Sequence, residues 1–529
     1  LVILALLGCS PEPAPAPLVE MPVARLLSRI SLDLRGTRPS PDEIAQVEAD
    51  PAALDALVDQ FLDDDRFPER LVSLYHEIYL TNTEKTDLRP NSIPFDNPRY
   101  FYWEVGQEPL RIVAQVAKED LPYSTIVTAD WTMANEDLAQ LFPLEWPEGQ
   151  TGWHKTRYTD GRPAAGVMST NGLWWRYTTT EANANRRRAN ALTRILVCED
   201  YLARPIEFDQ TVNLLDEGAV GDALESNPGC VNCHVSLDPV ASNLFGFYWT
   251  NFTSPTEGRY YHPGSEKVWE DLTGVAPGWY GTPTNGLVDL GNAVASDPRF
   301  PTCAARQAYE RLLRRSSTID DEDDITALRE SFIAGDMKLK ALYRAVTQLP
   351  VYRAADVDTE RGVPYKMMTP DVLGAAVEDL TGFYWERSGY DVMRTDDKGL
   401  RSLAGGVEGI LIKQPSPTPN SALLLVQEAL SYEAASAALA SEVVIEPAER
   451  RLFTEVDFTE TPDTDRAAMV AQIKYLHLRV FGERIEDDSE ELTATLALWQ
   501  ELYDVENDVP RAWEGTLVAL LRDPEFVMY

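Results

Sequence analysis

Cys230, Cys233 and His234 stand together as a C-x-x-C-H pentapeptide, with Val231 and Asn232 between the thiols. Two thiols three positions apart can add to the two vinyl groups of one porphyrin, and the imidazole that follows can then bind the iron axially. This is the attachment pattern of a c-type haem, and it predicts one covalent haem c per chain. The same residues also read as a redox C-x-x-C, as half of a zinc site, or as a chance pairing.

The far side of the iron would decide the chemistry, because a six-coordinate iron is closed and a five-coordinate iron is open. Besides His234 the chain has four histidines: His76, His154, His262 and His477. The expected distal ligand is Met168, which precedes Trp174 and Trp175 in an apolar stretch. His262 is the alternative and an open iron the third case. Asp238, four residues beyond His234, could accept a hydrogen bond from its Nδ1–H and raise the ligand's basicity. A turn-capping aspartate is the plainer reading.

A second cysteine predicts a different modification. Leu1 to Leu7 is an apolar run too short to span a bilayer, and it ends in Leu6-Leu7-Gly8-Cys9-Ser10. That is the pattern of a bacterial lipoprotein signal, with Cys9 as the lipid-bearing residue. Pro11 to Pro17 alternates proline with small or acidic residues, a stiff spacer suited to lifting a domain off a membrane. Ser10, rather than an aspartate, favours delivery to the outer membrane. Haem is attached to c cytochromes outside the cytoplasmic membrane, so export and the C-x-x-C-H support each other.

Five cysteines occur in all. With Cys9, Cys230 and Cys233 assigned, Cys198 and Cys303 remain, and in an oxidising compartment two spare thiols are most simply a disulfide. The rival account gathers Cys198, Cys230, Cys233 and Cys303 around one zinc. Structural zinc usually draws its ligands as two close pairs, and only one close pair exists here.

The 529 residues are enough for several domain-sized cores, and 44% hydrophobic content is ordinary for a globular protein. A net charge of −38 argues against nucleic acid as a partner, since phosphate binding needs the opposite field. The same charge would repel anionic lipid, so membrane contact should come from the N-terminal lipid alone. It could also steer the chain toward a basic redox partner.

The elements that must position these residues read as mainly α-helical, with repeated helical units flanking an irregular, loop-rich haem segment. Leu54, Leu57, Val58, Phe61 and Leu62 follow the spacing of a buried helical face, and Trp513, Leu517, Leu520 and Leu521 repeat it. Three stretches share an order of apolar helix, turn, acidic-capped helix and closing helix that stops at an aromatic. They begin at Arg29, Tyr309 and Tyr475 and close at Phe67, Tyr352 and Phe526. Asp320 to Asp324 reads as a solvated helix N-terminus, where carboxylates favour the dipole. The expected division is a signal, lipobox and linker over 1–22, a helical repeat over 23–84, and a haem domain over 85–305. A second repeat follows over 306–360, and a C-terminal helical domain with the third repeat over 361–529.

In this order the segments resemble the planctomycete-type cytochrome c family, a bacterial set of uncharacterised domains carrying a single C-x-x-C-H. The likeness rests on Ser31-Leu32-Asp33-Leu34-Arg35-Gly36 through Ile44, on Thr128-Ala129-Asp130-Trp131 through Ala139, and on Gly166-Val167-Met168-Ser169-Thr170. It continues through Arg188 to Cys198, Cys230 to Pro239, and Phe300-Pro301-Thr302-Cys303. After Pro239 the chain departs from the family's pattern over Val240 to Tyr248. The resemblance implies a covalent haem and supports pairing Cys198 with Cys303; the family's own biochemical role is poorly defined.

The expected function is electron transfer by an extracytoplasmic, lipid-anchored monohaem c-type cytochrome. One alternative is a haem-dependent oxidoreductase acting on a small molecule or glycan held near Trp131, Trp153, Trp174, Trp175 and Trp249. The other is a surface scaffold or carbohydrate-binding lipoprotein. No Ser/His/Asp order, phosphate loop or H-E-x-x-H is present, which argues against hydrolase or nucleotide chemistry. Whether the chain is an enzyme stays open at this level.

Overall fold

A computed structural model describes residues 18–85, 98–180, 183–204, 212–213, 216–247, 259–355, 363 and 365–529. Cys9, the proline spacer and Trp249 lie outside the described residues. The fold is mainly α, as expected: helix accounts for 59% of the described chain and strand for 5%. The strands form three small antiparallel pairs, the longest joining Thr132–Ala134 to His154–Thr156.

The first repeat comprises α1 (Val23–Arg35), α2 (Pro41–Ala49) and α3 (Ala53–Asp63), followed by α4 (Arg66–Tyr79) and α5 (Pro98–Lys118). Local chemistry sets the breaks. Gly36 ends α1 in the left-handed region at φ 74°, a conformation that favours glycine. Ser40 then opens α2 with a capping box: its hydroxyl accepts from the Glu43 N–H while the Glu43 carboxylate accepts from the Ser40 N–H.

The middle of the chain contributes α6 (Arg186–Val197), α7 (Glu217–Ser226), α8 (Pro228–Ser242) and α9 (Leu287–Ala295). The second repeat is α10 (Arg299–Leu313), α11 (Glu322–Ala334) and α12 (Leu339–Thr347). The C-terminal part holds α13 (Pro370–Thr381), α14 (Ser421–Glu442), α15 (Arg466–Phe481), α16 (Glu490–Glu506) and α17 (Val509–Arg522). The closing aromatics do not stop the repeats. Phe67, Tyr352 and Phe526 each lie in a further helix, α4, Pro350–Arg353 or Pro524–Val527, and all three are buried. Asp321, expected in solvent, is buried instead and accepts from Tyr309 and Arg315.

Two large cores organise these helices. One gathers residues from Met21 to Tyr352 together with Leu478, so the first two repeats and part of the intervening stretch share a packed interior. The other is built from residues 367–529. Helix α1 belongs to both: Leu27, Ile30 and Leu34 enter the first core and Leu32 the second. Burying each such side chain contributes about 1.5–3 kcal/mol.

Because α1 is covered on every side, its polar residues must find partners inside the protein. Arg35 pairs with Glu43 at 3.0 Å, and the Ser31 hydroxyl donates to the Thr37 carbonyl at 2.6 Å. Asp33 accepts from the hydroxyls of Tyr352 (2.6 Å) and Tyr529 (2.8 Å) and is ion-paired with Lys366. Burial brings the Lys366 ammonium down to about 7, against the pull of Asp33.

Candidate functional site

Asn227 starts the site helix. Its side chain accepts from the Gly229 N–H, and Pro228 occupies the first turn of α8, where a missing N–H costs nothing. Cys230, Cys233 and His234 therefore fall on the first two turns. Residues three and four apart share a helical face, which places Cys230 beside both Cys233 and His234. Both cysteines are free thiols, half exposed, and the His234 ring is 24% exposed. Val235, the next residue, is also open to solvent.

Among the described residues the imidazole is oriented from one side. His234 Nδ1 lies 3.1 Å from Asp238 Oδ1. Arg186, at the start of α6, donates to both oxygens of the same carboxylate, at 2.7 and 3.0 Å. Burial tends to raise the Asp238 carboxyl, but the hydrogen bonds from His234 and Arg186 prevail and hold it below its ordinary range. A carboxylate facing Nδ1 fixes that nitrogen as the N–H, which leaves Nε2 with the lone pair. Among the described residues Nε2 has no hydrogen-bond partner.

Aromatics back this chain of three. Trp269 lies under the Arg186 guanidinium at 5.4 Å and stacks on Phe245 at 5.4 Å. Phe247 in turn meets Trp174 at 5.3 Å and Tyr261 at 5.1 Å. Gly246, between the two phenylalanines, allows the Tyr261 ring to approach; a Cβ there would stand 2.0 Å from it.

The expected iron site is corrected in one respect. Among the described residues no group of three or more His, Cys, Asp or Glu side chains is placed to hold a metal ion, so a metal-binding centre built by the protein alone is not present there. Cys230, Cys233 and His234 share one helix without forming such a group, and the Asp238 carboxylate beside them is bonded to Arg186 and His234. The four-cysteine zinc alternative falls with it, because Cys198 and Cys303 are bonded to each other across 105 residues.

The two distal candidates sit in different local settings. Met168 is fully buried in the turn Gly166–Ser169, with its methyl group toward Gly291 of α9 and its carbonyl accepting from the Trp174 indole at 2.9 Å. His262 is half-buried, and its N–H donates to the Gly246 carbonyl at 2.7 Å, beside the chain leaving α8. The tryptophans do not make one open wall. Trp174 and Trp175 are buried, while Trp131 and Trp153 are half-buried under Lys155 and Arg111.

His76 and His477 are structural. His76 is buried, with Nε2 donating to the Val407 carbonyl (2.9 Å) and Nδ1 accepting from the Asn82 N–H (3.2 Å). His477 meets the Thr495 hydroxyl at 3.0 Å. The residue that sequence reasoning missed is Arg186. Its only signal was the run Arg186-Arg187-Arg188 at the head of a helix, which carries no indication of Asp238.

Among known families, a model described as PSCyt2, a protein of unknown function (DUF1549), matches residues 14–165, under a third of the chain and wholly ahead of Cys230. No curated protein and no solved structure matches the chain. Among the described residues no helix is long and apolar enough to cross a membrane.

Proposed function

We propose that the chain is an extracytoplasmic, lipid-anchored c-type cytochrome with one covalent haem on Cys230 and Cys233, passing single electrons to a redox partner. A haem brings its iron with it and asks the protein for two thiols and one imidazole, so it needs no centre of three protein ligands. When bound, it would supply a one-electron Fe(III)/Fe(II) couple. The observation that carries the reading is the Arg186–Asp238–His234 chain, which orients the ring and leaves Nε2 available. The half-exposed thiols on the same helix face fit thioether attachment. Cys9 would carry the lipid.

The test is production of the exported chain with c-haem maturation machinery, followed by intact mass and a pyridine haemochrome spectrum. One covalent tetrapyrrole per chain is expected, lost in Cys230→Ser/Cys233→Ser with the circular dichroism unchanged. A colourless wild-type protein of unmodified mass would refute the assignment.

A second reading, a carbohydrate-binding surface lipoprotein, draws on a shallow cleft of about 660 Å³ flanked by half-buried Trp131 and Trp146, with Gln150 and Arg157 at its edge. Glycan binding that survives Cys230→Ser but not Trp146→Ala would favour it.

A further inference from the structure

A separate cleft of about 490 Å³ opens between the end of α4, one face of α6, α10 and the loop carrying Lys413. Its charge runs against the whole molecule. The chain carries 85 acidic and 47 basic residues, yet this cleft is lined by six cations, Arg176, Arg187, Arg194, Arg306, Arg311 and Lys413, against three carboxylates.

Ion pairing removes two of those cations. Arg306 pairs with Glu322 at 2.8 Å and Arg311 with Glu77 at 3.0 Å, and Glu77 is held by Arg314 as well. Among the described residues the other four make no ion pair. Arg176 donates to the carbonyls of Leu80 and Gly409. Arg194 donates to the Ile78 carbonyl (2.8 Å) and the Tyr177 hydroxyl (2.6 Å). The side chains of Arg187 and Lys413 are exposed and make no hydrogen bond or ion pair among the described residues. The carboxylates left in the lining are Asp200 and Glu310, which accept from Asn190 and Ser317 respectively.

Like charges gathered this way repel. Burial holds the Arg176 guanidinium below its ordinary range; Tyr177 and Glu408 act against it, while the Arg187 and Arg194 charges push in the same direction as burial. An anion seated among the four would relieve that repulsion, and guanidinium groups match the planar oxygens of phosphate and carboxylate. Two of the four are already fixed by neutral acceptors, so less side-chain freedom is lost on binding.

We propose that this cleft is a binding site for a small multivalent oxyanion, one bearing two or more phosphate or carboxylate groups. The site is independent of the C-x-x-C-H helix, although α6 serves both: Arg186 grips Asp238, and Arg187 and Arg194 line the cleft.

The test is isothermal titration of the full chain at low salt with inorganic pyrophosphate and, separately, with citrate, which distinguishes phosphate from carboxylate recognition. At least one should bind, and Arg187→Ala/Lys413→Ala should weaken it about tenfold or more, as expected for losing charged hydrogen bonds. Both side chains are exposed, so folding should survive; Arg187→Gln/Lys413→Gln provides a second pair. Lys118→Ala/Lys474→Ala removes the same net charge elsewhere and should leave affinity unchanged. The proposal is overturned if neither anion binds the wild type, if the cleft variants bind as tightly, or if the remote pair weakens binding equally.

Discussion

Asp238 and His234 lie one helical turn apart with Oδ1 3.1 Å from Nδ1, and the carboxylate is shared with Arg186 of a neighbouring helix. If haem binds as proposed, an acceptor at Nδ1 would make the imidazole a stronger donor and favour Fe(III). Asp238→Asn should therefore raise the midpoint potential by tens of millivolts, about 59 mV being a tenfold shift for one electron. Arg186→Gln frees the carboxylate for His234 and should lower it. Potentiometric titration decides; a potential unmoved by both variants would reduce Asp238 to a turn cap.

The Cys198–Cys303 bond closes a loop that contains α8. On the chain-entropy model, removing a constraint of that length costs about 4–5 kcal/mol. Cys198→Ser/Cys303→Ser should lose about this much in denaturant unfolding, and reduction of the wild type should reproduce the loss. A difference below about 1 kcal/mol would mean the packing of α6 on α10 already holds the loop.

His76 carries a pH dependence with a definite sign. Burial, helped by the Arg401 charge, lowers its imidazole to about 4. The unfolded chain takes up this proton near 6.5 and the folded chain only near 4. Between those values the unfolded state binds more protons, so stability falls as pH drops from 6.5 to 4, by up to about 3 kcal/mol. Urea unfolding across that range should show the slope, and His76→Gln should flatten it.

Lys366 and Asp33 form a fully buried pair. Asp33→Asn leaves the ammonium without its counter-charge and should destabilise the protein by about 3–5 kcal/mol. Asp33→Asn/Lys366→Met should recover much of the loss. A single variant as stable as wild type would show that the tyrosines alone hold this region.

What could be read from the residues beforehand was whatever depends on neighbours in the chain. The buried stripes Leu54 to Leu62 and Trp513 to Leu521, and with them the mainly helical fold, follow from spacing. Partners distant in sequence could not be read. Arg186 reaches Asp238 across 52 residues and Asp33 meets Tyr529 across 496. Trp174 and Trp175 suggested a cofactor wall because apolar spacing does not distinguish a lining from an interior. The type of Met168 is equally uninformative, because a thioether suits a core as well as an iron.

The position of α1 between two cores has a kinetic consequence. Helix α1 cannot be fully enclosed until residues 367–529 are available, because Leu32 belongs to an interior they supply. The face that carries Leu32 stays uncovered until then, while Leu27, Ile30 and Leu34 already pack in the first core, and that face is open to aggregation over the interval. Native closure is thus a late event, and the slow step in refolding should be the docking of the C-terminal helices onto this waiting strip.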